Sequence, residues 1–136
     1  MTNYFKNALI NGKLCDIKIE KGKFSEFGKF DEGFDLKGLK VYPGLIDIHT
    51  HGGGGFAFAD SSAEEVIAGC DFHLKRGTTS ILPTVSASAY NNMMSSLENI
   101  RAAIDSKKAK ANIIGAHLEG PYLSPKQCGA QCPDFI

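Results

Sequence analysis

The chain has 136 residues, 43% of them hydrophobic and 22% charged, which suits one ordinary domain with its own core and excludes a disordered composition. Lys plus Arg equals Asp plus Glu, 15 of each, so there is no basic excess to attract a phosphate backbone, and no nucleic-acid partner is expected. No apolar run approaches the ~20 residues that span a bilayer, so no membrane partner is expected either.

The first six residues, Met1 to Lys6, lack the charged and apolar regions of a signal peptide, which makes the cytoplasm the default compartment. Cys15, Cys70, Cys128 and Cys132 do not form a disulfide framework and suit a reducing compartment as plain thiols.

Residues 1–42 read as short strands and turns. Tyr4 to Ile10 leads into Asn11-Gly12, a strong hairpin pair, and Leu14 to Glu20 follows with near alternation. Lys21-Gly22-Lys23 marks a second turn, and Phe24 to Phe30 and Phe34 to Leu39 complete an expected small antiparallel β unit.

From residue 43 the pattern changes. Gly44 to His49 is a short apolar strand that runs into His51 and four glycines. Ser62 and Glu65 have the spacing of a capping box, Val66, Ile67, Cys70 and Leu74 recur at helical spacing, and Gly77 stands where that helix would stop. Thr78 to Val85 is the next strand, with Pro83 near its end. Tyr90, Met93, Met94, Leu97, Ile100, Ala103 and Ile104 mark a second amphipathic helix, whose end carries Lys107, Lys108 and Lys110. Met93 and Met94 read as core. Ala111 to His117 is a third strand. Strands alternating with helices imply an α/β fold with parallel strands.

In repeated β/α units the reactive groups gather at the C-terminal ends of the strands. The first strand here ends in Asp47-Ile48-His49-Thr50-His51 and the third in His117-Leu118-Glu119-Gly120-Pro121. At a period of two, His49 and His51 face one side and could converge on a cation, with Asp47 on that side to orient an imidazole. The pair also reads as ordinary surface or core histidines, though the glycines that follow favour a ligand site. Glu119 reads as a metal ligand, a general base or a solvated loop residue. His117 reads as core or as a site wall, and His73 as structural or exposed. Cys128 and Cys132 have C-x₃-C spacing and no second pair, which disfavours a zinc site there.

Pro43 to Gly52 resembles the first barrel strand of the amidohydrolase superfamily. His117 to Pro125, followed by Lys126 to Gln131, is more specific and resembles the signature of the N-acetylglucosamine-6-phosphate deacetylase family; Gly77-Thr78-Thr79 and Pro83-Thr84 also fit. The resemblance covers essentially the whole chain and implies a partial TIM-type (β/α) barrel, its first three or so β/α units in residues 43–136, preceded by half of a small β-sandwich in residues 1–42. It implies hydrolysis of N-acetylglucosamine 6-phosphate to glucosamine 6-phosphate and acetate in amino-sugar catabolism. Glu119 matches the family's glutamate ligand of the catalytic divalent metal, zinc or iron. His49 and His51 match the histidines that hold a second metal in two-metal members; other members use one. Ala130 matches a position whose backbone lies near the substrate, and Gln131 stands where some members carry histidine, so both are substrate-binding candidates.

The family's two further histidine ligands and its catalytic aspartate come from later strands and have no counterpart in these 136 residues. The resemblance therefore implies an incomplete chain, inactive alone, and a homodimer at full length. Two other readings stand beside it: an amidohydrolase acting on a cyclic amide or ureide, and a non-catalytic remnant that binds metal or a partner.

Overall fold

A computed structural model of the protein describes residues 2–136. The chain divides into two compact units, residues 1–43 and 44–136. Among the described residues no helix is long and apolar enough to cross a membrane.

The first unit is a four-stranded sheet in the order β3-β2-β1-β4, built from β1 (Thr2–Ile10), β2 (Lys13–Glu20), β3 (Lys23–Gly28) and β4 (Phe34–Asp35). The hairpin between β1 and β2 turns at Asn11 and Gly12, both at positive φ (48° and 79°), as the Asn-Gly pair requires. The unit is not wholly antiparallel. β4 lies parallel to β1, on the edge away from β3. The reason is Asp16, buried on β2. One of its carboxylate oxygens accepts the Asn7 N–H at 2.8 Å, at a bulge in β1, and the other accepts the Phe30 N–H at 2.9 Å. The Phe30 ring also rests 5.0 Å from that of Tyr4. The chain leaving β3 is thus drawn across to β1 instead of turning back in a hairpin. The strand expected over residues 34–39 is shorter than that, because Lys37 and Gly38 turn at positive φ.

The second unit is α/β with a parallel sheet. β8 (Thr78–Ser86) lies at its centre, flanked by β5 (Leu45–Thr50) on one side and by β9 (Asn112–Ile113) and β10 (His117–Glu119) on the other. α1 (Ala63–Leu74) and α2 (Tyr90–Ser106) are the crossovers, and a short antiparallel ribbon of β6 (Gly52–Gly53) and β7 (Phe56–Ala57) precedes α1. The capping box of α1 forms as the spacing predicts: Ser62 Oγ accepts the Glu65 N–H, and the Glu65 carboxylate accepts the Ser62 N–H. The core collects Phe58, Val66, Cys70, Ile81, Val85, Met93, Ile100 and Ala103. Met93 is buried as expected, whereas Met94 is exposed, one helical position round from the stripe.

Two strands depart from regularity, and both departures shape the site. The third expected strand is split: Ile114 still donates to the Ile81 carbonyl, but Gly115, at φ 154°, breaks the ladder before β10 resumes opposite Thr84. Asp71 of α1 anchors the entry to this strand by accepting the N–H groups of Lys110 (2.8 Å) and Ala111 (2.9 Å). β5 shifts register against β8 between Asp47 and Thr50, so that Asp47 faces Ile81 while Thr50 faces Pro83. A proline has no N–H for the ladder and is tolerated inside a sheet only with such a bulge.

Candidate metal centre

β5 and β10 flank β8 and do not pair with each other. Two strand spacings put roughly 9–10 Å between their backbones. Long side chains at their C-terminal ends therefore lean over the end of β8 to meet. His49 comes from β5, His51 from the position just past its end, and Glu119 from β10. Their Nε2 atoms lie 3.2 Å apart, and Glu119 Oε2 lies 3.2 Å from His51 Nε2 and 3.6 Å from His49 Nε2. The three ligand atoms all fall within 4.8 Å of one another. The histidines are about half exposed and the glutamate less so, which leaves the group open to solvent and to a ligand.

The hydroxyls of β8 support this cluster from beneath. The Thr50 N–H, facing Pro83 across the bulge, donates instead to Thr84 Oγ1 at 2.9 Å. That bond fixes the backbone between the two histidines. Thr84 Oγ1 also lies 3.4 Å from His117 Nδ1, and the His117 ring packs against His49 with centroids 4.7 Å apart. His117 is thus a wall of the cluster. Ser86 Oγ lies 3.1 Å from His51 Nδ1. Asp47 does not orient an imidazole: its Oδ1 accepts the backbone N–H of His49 at 3.1 Å, the shortest route open to a carboxylate two residues back. His73 is structural, its Nε2 lying 2.9 Å from the Gly52 carbonyl.

Beside the cluster lies an open cleft of about 430 Å³ lined by His51, Ser86, Glu119, Ala130, Gln131 and Phe135. The loop after β10 brings Ala130 and Gln131 there. Gln131 Oε1 accepts the N–H of Ala87, at the end of β8, at 3.0 Å. Its amide oxygen is therefore engaged within the protein, which leaves its NH₂ as the polar group available to the cleft. Ser86 and Ala87 were not legible as site residues in the sequence. The only signal was their place just past a strand end that already carried Pro83 and Thr84.

The donor set fits a divalent cation. It combines two imidazole nitrogens with a carboxylate oxygen, and among the described residues no lysine or arginine pairs with Glu119 to neutralise it. The cluster gathers two ring nitrogens and a carboxylate oxygen at the mouth of a cleft, an arrangement that a cation would satisfy.

The model of the amidohydrolase family matches residues 41–134. An N-acetylglucosamine-6-phosphate deacetylase of Bacillus subtilis (strain 168) is 40% identical over 129 residues, covering 93% of this chain and 32% of the relative. An N-acetylgalactosamine-6-phosphate deacetylase of Shewanella sp. (strain ANA-3) is 35% identical, covering 100% of this chain and 34% of the relative. The crystal structure of N-acetylglucosamine-6-phosphate deacetylase from Pasteurella multocida superposes with a TM-score of 0.89 at 28% identity, over 100% of this chain and 38% of that one. The chain spans about a third of the length of the curated relatives it matches.

Proposed function

The chain belongs to the amidohydrolase family, and from that premise we propose that it is the N-terminal portion of a metal-dependent hydrolase that removes the acetyl group from N-acetylglucosamine 6-phosphate. The observation that carries the reading is the convergence of His49, His51 and Glu119 from two separate strand ends, beside a cleft lined by Ala130 and Gln131. The names of the relatives supply the substrate class. On this reading residues 43–136 are the first units of a (β/α) barrel and residues 1–42 half of a small β-sandwich. The protein acts in the cytoplasm and, at the length of its relatives, as a homodimer.

His49, His51 and Glu119 would together hold one divalent cation, zinc or iron, and where two are bound Glu119 would also serve the catalytic one. When bound, a divalent cation supplies Lewis acidity toward the amide carbonyl and makes a water easier to deprotonate. The protein's own groups do the rest. The Ala130 backbone and the Gln131 NH₂ form the wall against which the sugar is oriented. Glu119, serving as a ligand, is ionised and has no proton to give. The acid that protonates the leaving amine is therefore a different group, which the family resemblance assigns to an aspartate from a later strand. For this reason the 136-residue chain alone is expected to be inactive.

The experiment is acetate release from N-acetylglucosamine 6-phosphate, with zinc or ferrous iron supplied. It compares the chain alone with the chain joined to the remaining two thirds of the Bacillus subtilis relative. The proposal expects turnover only from the joined protein, and its loss in Glu119→Ala. Robust turnover by the chain alone, or a joined protein indifferent to Glu119→Ala, would overturn it. The likeness to the Shewanella protein favours a second reading that differs only in the sugar. The galactosamine epimer run in parallel separates the two by kcat/KM.

A further inference from the structure

The two strands that carry the candidate ligands are held apart by β8, and the residue directly beneath their meeting point is Ser86. It pairs in register with Glu119 on one side, and on the other its hydroxyl lies 3.1 Å from His51 Nδ1. Neutral imidazole carries one proton, on either nitrogen. His51 Nε2 is the atom that faces Glu119 and His49 Nε2. A proton on Nε2 would block that nitrogen as a ligand; a proton on Nδ1 leaves it open. A ligating histidine nearly always donates its other N–H to a fixed acceptor, which sets the tautomer and the ring plane. Asp47 is not that acceptor, since it is spent on the His49 backbone.

We propose that Ser86 is a positioning residue for His51: its hydroxyl accepts the Nδ1–H and presents Nε2 unprotonated to the cluster. The role rests on the reading of His51 as a metal ligand, but the tautomer can be measured without metal. An uncharged hydroxyl polarises the imidazole less than a carboxylate would. It therefore supplies orientation more than added basicity.

The test uses the metal-free protein, with His51 assigned by comparison with His51→Ala, at a pH where histidine is neutral. Two-bond ¹H–¹⁵N correlation spectra are expected to show His51 as the Nδ1–H tautomer. Ser86→Ala is expected to shift it toward the Nε2–H form and to weaken Co²⁺ binding about 10- to 100-fold. Ser86→Thr keeps the hydroxyl and is expected to retain the Nδ1–H form. An Nε2–H tautomer in the unaltered protein overturns the proposal. So does a Ser86→Ala protein with unchanged tautomer and Co²⁺ affinity, or a Ser86→Thr protein as altered as Ser86→Ala. If Co²⁺ does not bind the unaltered protein at all, the metal-site reading fails, while the tautomer comparison still decides the role of Ser86.

Discussion

Replacing Thr84 by valine removes one oxygen and keeps the shape of the side chain. Thr84 is fully buried, and its hydroxyl is the recorded acceptor of the Thr50 N–H, at 2.9 Å. The register shift in β5 places Thr50 opposite Pro83, so the ladder supplies no substitute. In Thr84→Val that N–H is left without its partner, at a cost of about 1–3 kcal/mol. Burying a methyl in place of the hydroxyl returns at most about 0.8 kcal/mol. The expected net loss is about 0.2–2 kcal/mol. Thr84→Ser keeps the bond and loses a buried methyl, a change of about 0.5–1.5 kcal/mol. Global stability alone does not separate the two variants, so the assay pairs urea unfolding with amide exchange at Thr50. A lower urea midpoint with unchanged m is expected for both. Exchange at Thr50 should accelerate about tenfold or more, beyond the global change, only in Thr84→Val. Thr50 protection unaltered in Thr84→Val would refute the view that this hydroxyl fixes the backbone between the two histidines.

Two further outcomes follow from the packing. The Asn7 and Phe30 N–H groups hold the Asp16 carboxyl below its ordinary value of 3.8, with Lys29 and Lys6 adding to the effect. Its contribution to stability is present above that value and is lost as the pH falls through the lowered folded value, so Asp16→Asn should flatten the acid limb of a stability–pH profile measured by urea titration. Burial pushes the Cys70 thiol up to about 12, with the charge of Asp71 adding to it. A thiol reagent at pH 8 should therefore modify exposed Cys132 in the native protein and reach Cys70 only on unfolding, as read by peptide mass.

Local chemistry made much of this architecture legible in advance. Asn11-Gly12 specifies the first hairpin, Ser62 and Glu65 the start of α1, and the strand-end rule places His49, His51 and Glu119 at one edge. What stayed hidden depended on contacts between segments. The parallel placement of β4 follows from Asp16 capturing Phe30 across the sheet, a bond between residues 14 apart in sequence. The split of the third strand follows from Gly115, which resembles an ordinary residue of an apolar run until its φ is known. The roles of Thr84 and Ser86 arise because β8 lies between the two ligand-bearing strands. Strand order, unlike strand existence, is not written in local periodicity. Periodicity puts Asp47 on the histidine face, but its short side chain meets the backbone N–H of His49 before it can reach a ring.

The central claim is that His49, His51 and Glu119 together hold a divalent cation. The most direct measurement is a calorimetric titration of the metal-free protein with Zn²⁺, repeated on His49→Ala, His51→Ala and Glu119→Ala. Saturable binding that is clearly weakened in each of the three variants is the predicted result. Titrations that superimpose on that of the unaltered protein in all three would contradict it.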